Sequence, residues 1–564
     1  MTLEISFMKK TYTFLFILLA FTFQAIAQYS GGSGSGYTKA ETNSKHLTNF
    51  FQTDGNWINT TNWRDNVVPG SSEEANIAAI AELNGDYTYP EVNISANGVI
   101  NIPAAQSLTV TQNLNNLAGT SGLVIESGGS LLHNTNNVQA TIRRTITGAP
   151  IPEEPGVSTR YHLVSIPLSP TANSVSSQFT GAYLYSYDPS MNSWLGLGEQ
   201  TNTPLDETAG YMVYYTSNKT VNFEGPMNNG IFSPSLTYAG LEGGNNFSLV
   251  PNPYPSAIDW HAFAPGDKTN IGNTIWIFNN GNYATYTWDG VNSSSTNGGS
   301  RYIATGQAFF VQTTGSSPAL TMNNAIRTHS NSPFLKDTDA PFDQLRISAA
   351  ANGVNDEVLI GFRDQASDDY NTTEDALKIY GSSGAPQLFT FAGEKKLSVN
   401  FMDQPHGETS ITLGFDCDFA GEYALSFSQL EAFPQSVSIY LTDELTSQTV
   451  NLRQQTNYNF VHNPGNNPER FTLKFGGTIG IEEPSNEKVQ VWFNGNTLIV
   501  NANELSGSNS IIEVFNTTGQ LVFSRQTSLS RENSFKIDLS GPVIARISTE
   551  KGIYTAKAVL LNNQ

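Results

Sequence analysis

The sequence has a single cysteine and few charged side chains. Cys417 is alone among 564 residues, so no intramolecular disulfide can form and stability has to come from burial. Charged residues make up only 14% of the chain, and long runs with a helical period of 3.6 residues are missing. These absences exclude a disulfide-stapled scaffold and a helical bundle. Cys417 itself lies in an alternating stretch and is predicted to be a small buried apolar residue.

Basic residues are also scarce. The chain has 28 lysines and arginines against 49 aspartates and glutamates, which gives a formal net charge of −21. So acidic a chain repels phosphate backbones and anionic lipid surfaces, and nucleic acid is therefore not an expected partner. Abundant glycine, asparagine, serine, threonine and aromatic residues instead indicate an extracellular all-β protein. At this length we expect several domains.

Motifs for catalysis and metal binding are equally scarce. The HExxH, GxSxG, P-loop and dinucleotide-binding patterns are absent, so no catalytic residue is predicted and enzymatic activity stays open. The densest acidic cluster contains Asp364, Asp368, Asp369 and Asp375, next to Glu374. Calcium prefers several oxygen ligands from one loop, so these four aspartates are candidate calcium ligands. The alternative is a solvated turn, because the EF-hand order is missing.

The N-terminus has the pattern of a secretory signal peptide. Two lysines precede the apolar run Thr11–Phe23, and Ala25–Ala27 forms a small-x-small cleavage site. The apolar run is too short and wrongly flanked for a transmembrane anchor. We therefore predict a signal peptide over residues 1–27 and a glycine- and serine-rich linker over residues 28–48.

Short apolar pairs recur at regular intervals in residues 49–140, separated by glycine, asparagine and serine. This spacing predicts either the stacked rungs of a β-solenoid or a small β-sandwich. The predicted inward-facing residues are Ile100, Ile102, Leu108, Val110, Leu123, Ile125 and Leu131. Trp57 and Trp63 lie at its start, six residues apart, which in a strand would place both indoles on one face. They are candidate ligand-binding residues if the indoles stack on sugar rings. The alternative is a structural cap on the first rung.

Residues 158–328 contain two similar segments, at about 158–240 and 245–328. Each has an apolar strand, an aromatic-rich hairpin and a strand that follows a glycine. The matched positions are Leu163-Val164 with Leu249-Val250, Tyr183 and Tyr185 with Trp276 and Phe278, Trp194 with Trp288, and Gly210 with Gly306. The repeat predicts a tandem β-module in which aromatic pairs across strands stabilise the sheets.

The rest of the chain alternates apolar and polar residues in short runs. Seven such runs in residues 340–476 predict an antiparallel β-sandwich. Residues 485–564 repeat the pattern on a smaller scale, and NTTGQ from Asn516 predicts a hairpin turn in which Gly519 has a positive φ angle. The predicted fold class is therefore all-β and multidomain.

Residues 485–564 resemble the type A C-terminal sorting domain of proteins that the type IX secretion system of Bacteroidetes exports. The resemblance rests on IIEVFNTTGQLVFS, FKIDLSG and KGIYTAKAVLL, with Gly519, Gly552, Tyr554 and Lys557 in the expected order. The sequence departs from the family in SGPVIARIST, where a Gly-x-Tyr step is usual. The resemblance implies an immunoglobulin-like sorting β-sandwich.

This resemblance also implies a route and a destination. The signal peptide would lead to the periplasm, and the type IX translocon would recognise the C-terminal sandwich. The outer-membrane attachment machinery would then remove that domain near Gly477–Glu487 and leave the rest secreted or on the outer cell surface. The segments GNWINTTNWRDNVVPG and LVPNPYPSAIDW are likewise similar to modules of large secreted Bacteroidetes proteins.

The sequence leaves two functions open. The first is adhesion or structural interaction at the cell surface, with a polysaccharide or protein ligand. The alternative is a secreted carbohydrate-binding or carbohydrate-degrading protein, which the aromatic-rich hairpins of the repeat favour.

Overall fold

The protein is all-β, as predicted. The computed structural model describes residues 49–153, 156–169, 176–198, 203–241, 245–330, 343–351, 353–404, 408–435, 437–476, 490–494, 497–501, 506–516, 519–537, 541–549 and 552–560. Helical structure in these residues is limited to short 3-10 helices at Thr60–Asn62, Gly119–Gly122, Ser176–Phe179, Trp260–Ala262, Pro265–Asp267, Asn324–Ile326 and Leu430–Ala432. The predicted signal peptide, linker and cleavage region lie outside the described residues. Within them, no helix is long and apolar enough to cross a membrane.

The first part of the described chain is a two-sheet β-solenoid. Its strands are β1 (Phe50–Phe51), β2 (Gly55–Asn56), β3 (Ala75–Ile77), β4 (Ile80–Glu82), β5 (Asp86–Ile94), β6 (Val99–Ile102), β7 (Ser107–Asn116), β8 (Leu123–Ile125), β9 (Ser130–His133) and β10 (Gln139–Ile146). Odd-numbered strands form one parallel sheet and even-numbered strands form the other. Of the two predicted alternatives, stacked rungs are therefore confirmed.

Inward-facing apolar side chains fill the space between the two solenoid sheets. Side chains alternate along each strand, so every rung contributes one or two of them to the core. The predicted inward residues are all at most 1% exposed: Ile100, Ile102, Leu108, Val110, Leu123, Ile125 and Leu131. Burial of this continuous core is what holds the parallel rungs together.

The tandem module follows the solenoid. The first copy contains β11 (Tyr161–Val164), β12 (Tyr183–Asp188), β13 (Ser193–Gly196), β14 (Tyr211–Tyr214) and β15 (Lys219–Pro226). The second contains β16 (Phe247–Pro251), β17 (Ala257–Asp259), β18 (Lys268–Thr269), β19 (Ile271–Asn279), β20 (Asn282–Trp288), β21 (Ser293–Thr296), β22 (Tyr302–Ile303), β23 (Ala308–Thr313), β24 (Ala319–Leu320) and β25 (Arg327–Thr328). The main sheets have the orders β11-β14-β12-β13 and β16-β23-β19-β20-β21, so corresponding strands pair alike in both copies.

Strand pairing corrects the residue alignment of the two copies. Leu163 and Tyr185 both lie opposite Met212, while Leu249 and Trp276 both lie opposite Phe310. Tyr185 therefore corresponds to Trp276, and the predicted match of Tyr183 with Trp276 is wrong by two residues. A slip of two residues keeps every side chain on its face, so the aromatic pattern alone cannot detect it.

The last strand of the first copy belongs to the solenoid. β15 pairs antiparallel with β10 along its whole length, from Gln139 opposite Pro226 to Ile146 opposite Lys219. It covers an edge that would otherwise present unpaired N–H and C=O groups. Phe223, in this strand, is buried in the same core as the rungs. The predicted boundary between the solenoid and the module is therefore not a boundary in the core.

Residues 343–475 form one strongly curved sheet. Its strands are β26 (Asp343–Ala351), β27 (Val354–Phe362), β28 (Ala376–Leu377), β29 (Gln387–Ala392), β30 (Lys395–Met402), β31 (Thr409–Asp416), β32 (Gly421–Ser428), β33 (Ile439–Asp443), β34 (Gln448–Asn451), β35 (Asn457–His462) and β36 (Phe471–Phe475). The order is β34-β33-β36-β31-β29-β30-β27-β26-β32-β35, with β28 beside β30, and the β27–β30 pair is parallel. Phe460 and Phe471, from strands far apart in this order, have ring centroids 5.0 Å apart, so the sheet curls around its core.

The outer face of this curved sheet packs on the tandem module. One buried apolar cluster combines Leu163, Trp276 and Phe310 of the module with Leu359 and Phe401 of the sheet. Trp276 also donates from Nε1 to the carbonyl oxygen of residue 377 at 2.9 Å. The module and the sheet thus share a core.

The C-terminal block is a small β-sandwich. Its strands are β37 (Gln490–Asn494), β38 (Thr497–Asn501), β39 (Asn509–Asn516), β40 (Leu521–Ser528), β41 (Glu532–Lys536), β42 (Gly541–Thr549) and β43 (Gly552–Leu560). The two sheets have the orders β37-β38-β41 and β40-β39-β42-β43. Leu498, Val500, Ile512, Val514 and Ile547 are buried in its own core.

Candidate functional site

Trp57 and Trp63 are fully buried, and their assignment as ligand-binding residues is corrected here. Both side chains have 0% exposure, so neither indole presents a face on which a sugar could stack. Their rings meet edge to face at 5.2 Å, and both also contact the ring of Phe51. Trp57 Nε1 donates to the hydroxyl of Tyr89 at 3.0 Å. Their position corresponds to the second alternative, a cap on the first rung.

The two tryptophans lie together, but not because they share one face of a strand, as their spacing of six residues predicted. The segment between them is not extended, because a 3-10 helix lies at Thr60–Asn62. Trp57 follows β2, and its N–H donates to the carbonyl oxygen of Glu82 in the next rung at 2.8 Å. Trp63 Nε1 donates to the carbonyl oxygen of Trp57 at 2.8 Å. A turn, rather than strand alternation, therefore brings the indoles together.

The carboxylates of the acidic cluster do not converge in the structure. Asp364, Asp368 and Asp369 are exposed, whereas Asp375 is buried. Asp375 accepts hydrogen bonds from the backbone N–H groups of Asn371 and Phe401, both at 2.8 Å. Across the described ranges, no three acidic, histidine or cysteine side chains lie close enough to hold a metal ion. The structure therefore does not bring the four predicted calcium ligands together: the Asp375 carboxylate organises its own loop and the other three face solvent.

Burial makes Asp375 a pH-sensitive group. It raises the pKa of Asp375 from 3.8 to about 7, although two N–H donors and Arg363 act in the opposite direction. The folded state therefore binds this proton more tightly than the unfolded chain, and the free energy of unfolding falls as pH rises from the unfolded pKa to the folded one. We expect Asp375→Asn to flatten the pH dependence of unfolding between about pH 4 and pH 7. Urea denaturation at several pH values measures this slope.

The control for Asp375→Asn is Asp364→Asn, which changes an exposed carboxylate of the same loop. It should keep the wild-type slope. An Asp375→Asn variant with that slope would contradict the raised pKa.

The four residues that carry the sorting resemblance lie on the second sheet of the C-terminal sandwich or its hairpin. Gly519 has φ of +78° in the turn between β39 and β40, as predicted. Gly552 begins β43, opposite Thr549 of β42. Tyr554 and Lys557 follow in the same strand, opposite Ile547 and Ile544. All of β42 (Gly541–Thr549) lies in the divergent segment SGPVIARIST, and this strand pairs with β39 and β43 and so keeps its place in the sheet.

A cavity that the sequence did not reveal lies between the solenoid and the second copy of the module. Its volume is about 130 Å³. Ile275, Ile277 and Ala284 of β19 and β20 line it on one side. Tyr286 of β20 also lines the cavity. A second segment of the chain contributes Gly299, Ser300, Tyr302, Ala304 and Gln307, and β10 contributes Arg144. Three separate parts of the chain therefore enclose it.

Arg144 is placed in this cavity by the register of β10. It has the same parity as Ile142 and Ile146, which are buried in the solenoid core, so its side chain leaves the inward face of the sheet. Burial lowers the pKa of its guanidinium. Among the residues that the structure describes, no hydrogen bond or ion pair joins this guanidinium to an acid. An arginine nevertheless stays charged.

The second arginine near the cavity is neutralised. Arg301 Nε donates to Asp259 Oδ1 at 2.8 Å, and Nη2 pairs with Oδ2 of the same carboxylate. This bidentate contact raises the pKa of Arg301. Of the two arginines, Arg144 is therefore the one that has no acidic partner among the described residues. The sequence carries one signal for Arg144: in QATIRRTI, residues 139–146, it is a charged residue at an inward position of an alternating strand.

The family of the chain is now defined by comparison. A family model described as "Domain of unknown function (DUF8693)" matches residues 51–475, most of the chain. The chain belongs to this family. The DUF8693 region runs from the first solenoid strand to the last strand of the curved sheet, and includes the Arg144 cavity. The C-terminal sandwich lies outside it. A comparison with curated proteins gives no match.

Solved structures offer only distant likenesses. A polysaccharide lyase aligns over 40% of this chain and 40% of its own, with 9% identity and a TM-score of 0.13, so this chain spans well under half of it. The BSP domain of a biofilm-associated protein aligns over 77% and 98%, with 10% identity and a TM-score of 0.12. A calcium-stabilised adhesin by which an Antarctic bacterium binds ice aligns over 74% and 92%, with 11% identity and a TM-score of 0.10. TM-scores this low assign neither a shared fold nor a function.

Proposed function

We propose that this protein is exported to the outer cell surface and acts there in adhesion or structural interaction. Residues 485–564 direct the export through the type IX secretion translocon and the outer-membrane attachment machinery. The observation that carries the proposal is the C-terminal sandwich itself. It has its own core, begins after the DUF8693 region ends, and bears the motifs that resemble those of a sorting domain.

A separately folded terminal domain suits recognition by a translocon. A receptor can read the shape and strand edges of such a sandwich without contacting the rest of the chain. β40 and β43 are the outer strands of its larger sheet, and β43 contains three of the four motif residues. Removal of the sandwich would leave the core of the DUF8693 region unchanged, because the two cores share no residue.

The DUF8693 region suits a structural or adhesive role because its parts are interlocked. β15 extends a solenoid sheet, and the module shares a buried cluster with the curved sheet. At the last rung, Arg327 donates to the carbonyl oxygen of His133 at 2.7 Å. A scaffold joined in this way presents its surface with little conformational freedom, which favours binding of a polysaccharide or protein ligand. Its acidity disfavours nucleic acid.

Deletion of residues 485–564 tests the export role. In the native host, the truncated chain is expected to accumulate in the periplasm and to lose most of its surface signal, measured by fractionation and by antibody labelling of intact cells. As a control, residues 485–564 fused to a periplasmic reporter protein should carry the reporter to the surface. A truncated chain that reaches the surface as well as the full chain would disprove the sorting role.

A second function is carbohydrate binding, which the Arg144 cavity favours. Its lining combines a cation with the rings of Tyr286 and Tyr302, a combination suited to an oxygen-rich ligand with a carbon skeleton. Presenting the purified chain to a panel of polysaccharides and scoring both retention and released sugars separates the alternatives. Retention without products identifies a binding protein, and released sugars identify an enzyme.

A further inference from the structure

We propose that the Arg144 cavity binds the carboxylate of a terminal acidic sugar, such as a uronic acid at the end of a glycan. The inference rests on the binding role of the DUF8693 region proposed above and names its ligand class. It does not depend on the route of export.

The first argument is charge. The guanidinium of Arg144 is partly buried, stays protonated and has no acidic partner in the described chain. A charge withdrawn from water without a partner is unfavourable, and an anion of matching shape relieves this. A carboxylate matches the planar guanidinium through two parallel hydrogen bonds. Because the chain as a whole has a net charge of −21, the attraction is confined to short range inside the cavity.

The second argument is size. The cavity volume of about 130 Å³ is close to the roughly 150 Å³ of an engineered cavity that binds benzene. This admits one small ring or a carboxylate with a few attached atoms and excludes a stretch of polysaccharide. The ligand group must therefore be terminal or a small free molecule, which distinguishes this site from an extended sugar-binding groove.

The third argument is the chemistry of the other walls. Ile275, Ile277 and Ala284 form an apolar surface beside the ring of Tyr286, which suits the carbon atoms of a sugar better than a bare inorganic ion. Ser300 and Gln307 supply polar groups on the loop side.

Those two polar side chains are held in place by their own loop. Ser300 Oγ accepts from the N–H of Tyr302 at 3.1 Å, so its hydroxyl hydrogen is left to donate. Gln307 Oε1 accepts from the N–H of Ala304 at 3.2 Å, which leaves the Nε2 amide hydrogens to donate. Fixed donors opposite a cation favour a ligand with several oxygen atoms.

The test is calorimetric titration of the purified full chain with glucuronate and galacturonate, compared with glucose, acetate and sulfate. We expect the wild-type chain to bind at least one uronate and to bind glucose more weakly. Arg144→Met should weaken uronate binding by about tenfold to a hundredfold, the range for loss of a charged hydrogen-bonded contact. Thermal unfolding checks that Arg144→Met remains folded, which we expect because the change removes an unpaired charge.

The matched control is Arg143→Gln. Arg143 is the neighbouring residue of the same strand, but it leaves the opposite face and pairs with Glu126 at 2.5 Å. Arg143→Gln removes one positive charge, as Arg144→Met does. It should keep the uronate affinity within about twofold, because Arg143 lies outside the cavity. Arg144→Lys should recover part of the affinity, since a lysine keeps the charge but not the planar fork.

Three outcomes would overturn the proposal. The first is that the wild-type chain binds neither uronate at millimolar concentration. The second is that Arg144→Met, shown to be folded, binds uronate as tightly as Arg143→Gln does. The third is that sulfate or acetate binds as tightly as the uronates, which would make this a general site for small anions. All three concern the purified chain, so they are distinct from a failure of surface export.

Discussion

Trp57→Ala is expected to destabilise the DUF8693 region by about 3–5 kcal/mol, the usual effect of removing a fully buried tryptophan. The indole contacts the rings of Phe51, Trp63, Tyr87 and Tyr89 at centroid distances of 5.2–6.1 Å. Its loss leaves a cavity at the end of the solenoid and removes the donor to the Tyr89 hydroxyl. Urea denaturation followed by far-ultraviolet circular dichroism measures the shift.

The matched control for Trp57→Ala is Ile58→Ala at the next position. Ile58 is 61% exposed, so its truncation should change the free energy of unfolding by less than about 0.5 kcal/mol. Trp57→Phe should fall between the two, because it keeps most ring contacts and loses the N–H donor. Equal midpoints for Trp57→Ala and Ile58→Ala would show that the aromatic cluster does not cap the solenoid.

Asp356→Asn is expected to destabilise the chain by about 3–5 kcal/mol, because it leaves a buried ammonium group without its counter-ion. Lys378 Nζ lies 2.5 Å from Asp356 Oδ2, and the two side chains are 2% and 0% exposed. Burial lowers the pKa of Lys378, and Asp356 acts against that shift. The same carboxylate accepts from the N–H of Leu388 at 2.6 Å and from Asn297 Nδ2 at 2.9 Å. Denaturation midpoints measure the loss.

Two further variants separate the charge from the packing. Asp356→Asn combined with Lys378→Met should recover much of the lost stability, since no unpaired charge remains. Asp65→Asn breaks the exposed pair of Arg64 and Asp65, whose side chains are 34% and 41% exposed, and should cost no more than about 1 kcal/mol. A loss for Asp356→Asn as small as that for Asp65→Asn would refute the importance of the buried pair.

Local sequence patterns predicted the elements of the fold well. The inward residues of the rungs and the turn at Gly519 follow from periodicity and turn chemistry, which act over a few residues. Patterns with a period of two residues do not fix the register between the two module copies. They match Tyr183 with Trp276, whereas strand pairing matches Tyr185 with Trp276. Nor could they show that β27 and β30 pair in parallel, because pairing partners are distant in sequence.

The candidate site depended on contacts that no local pattern contains. The polar segment around Trp57 and Trp63 leaves open whether the indoles are exposed, and the structure buries both in a cluster with Phe51 and Tyr89. Asp375 belongs to an acidic segment of the sequence, yet its side chain is buried. Arg144 belongs to a strand without any recognised motif, yet it lines a cavity. In each case the decisive neighbours come from another part of the chain.

The sequence by itself determined the class of this protein: all-β, built of short alternating strands without an intramolecular disulfide. These properties depend on composition and on a period of two, both of which are local. The tertiary structure alone decided that N-terminal rungs stack as a solenoid, that β15 completes it and that the module and the curved sheet share a core. It also placed Arg144 in a cavity where no described residue offers it an acidic partner. Burial and charge pairing depend on which distant segments meet, and packing of the whole chain sets that.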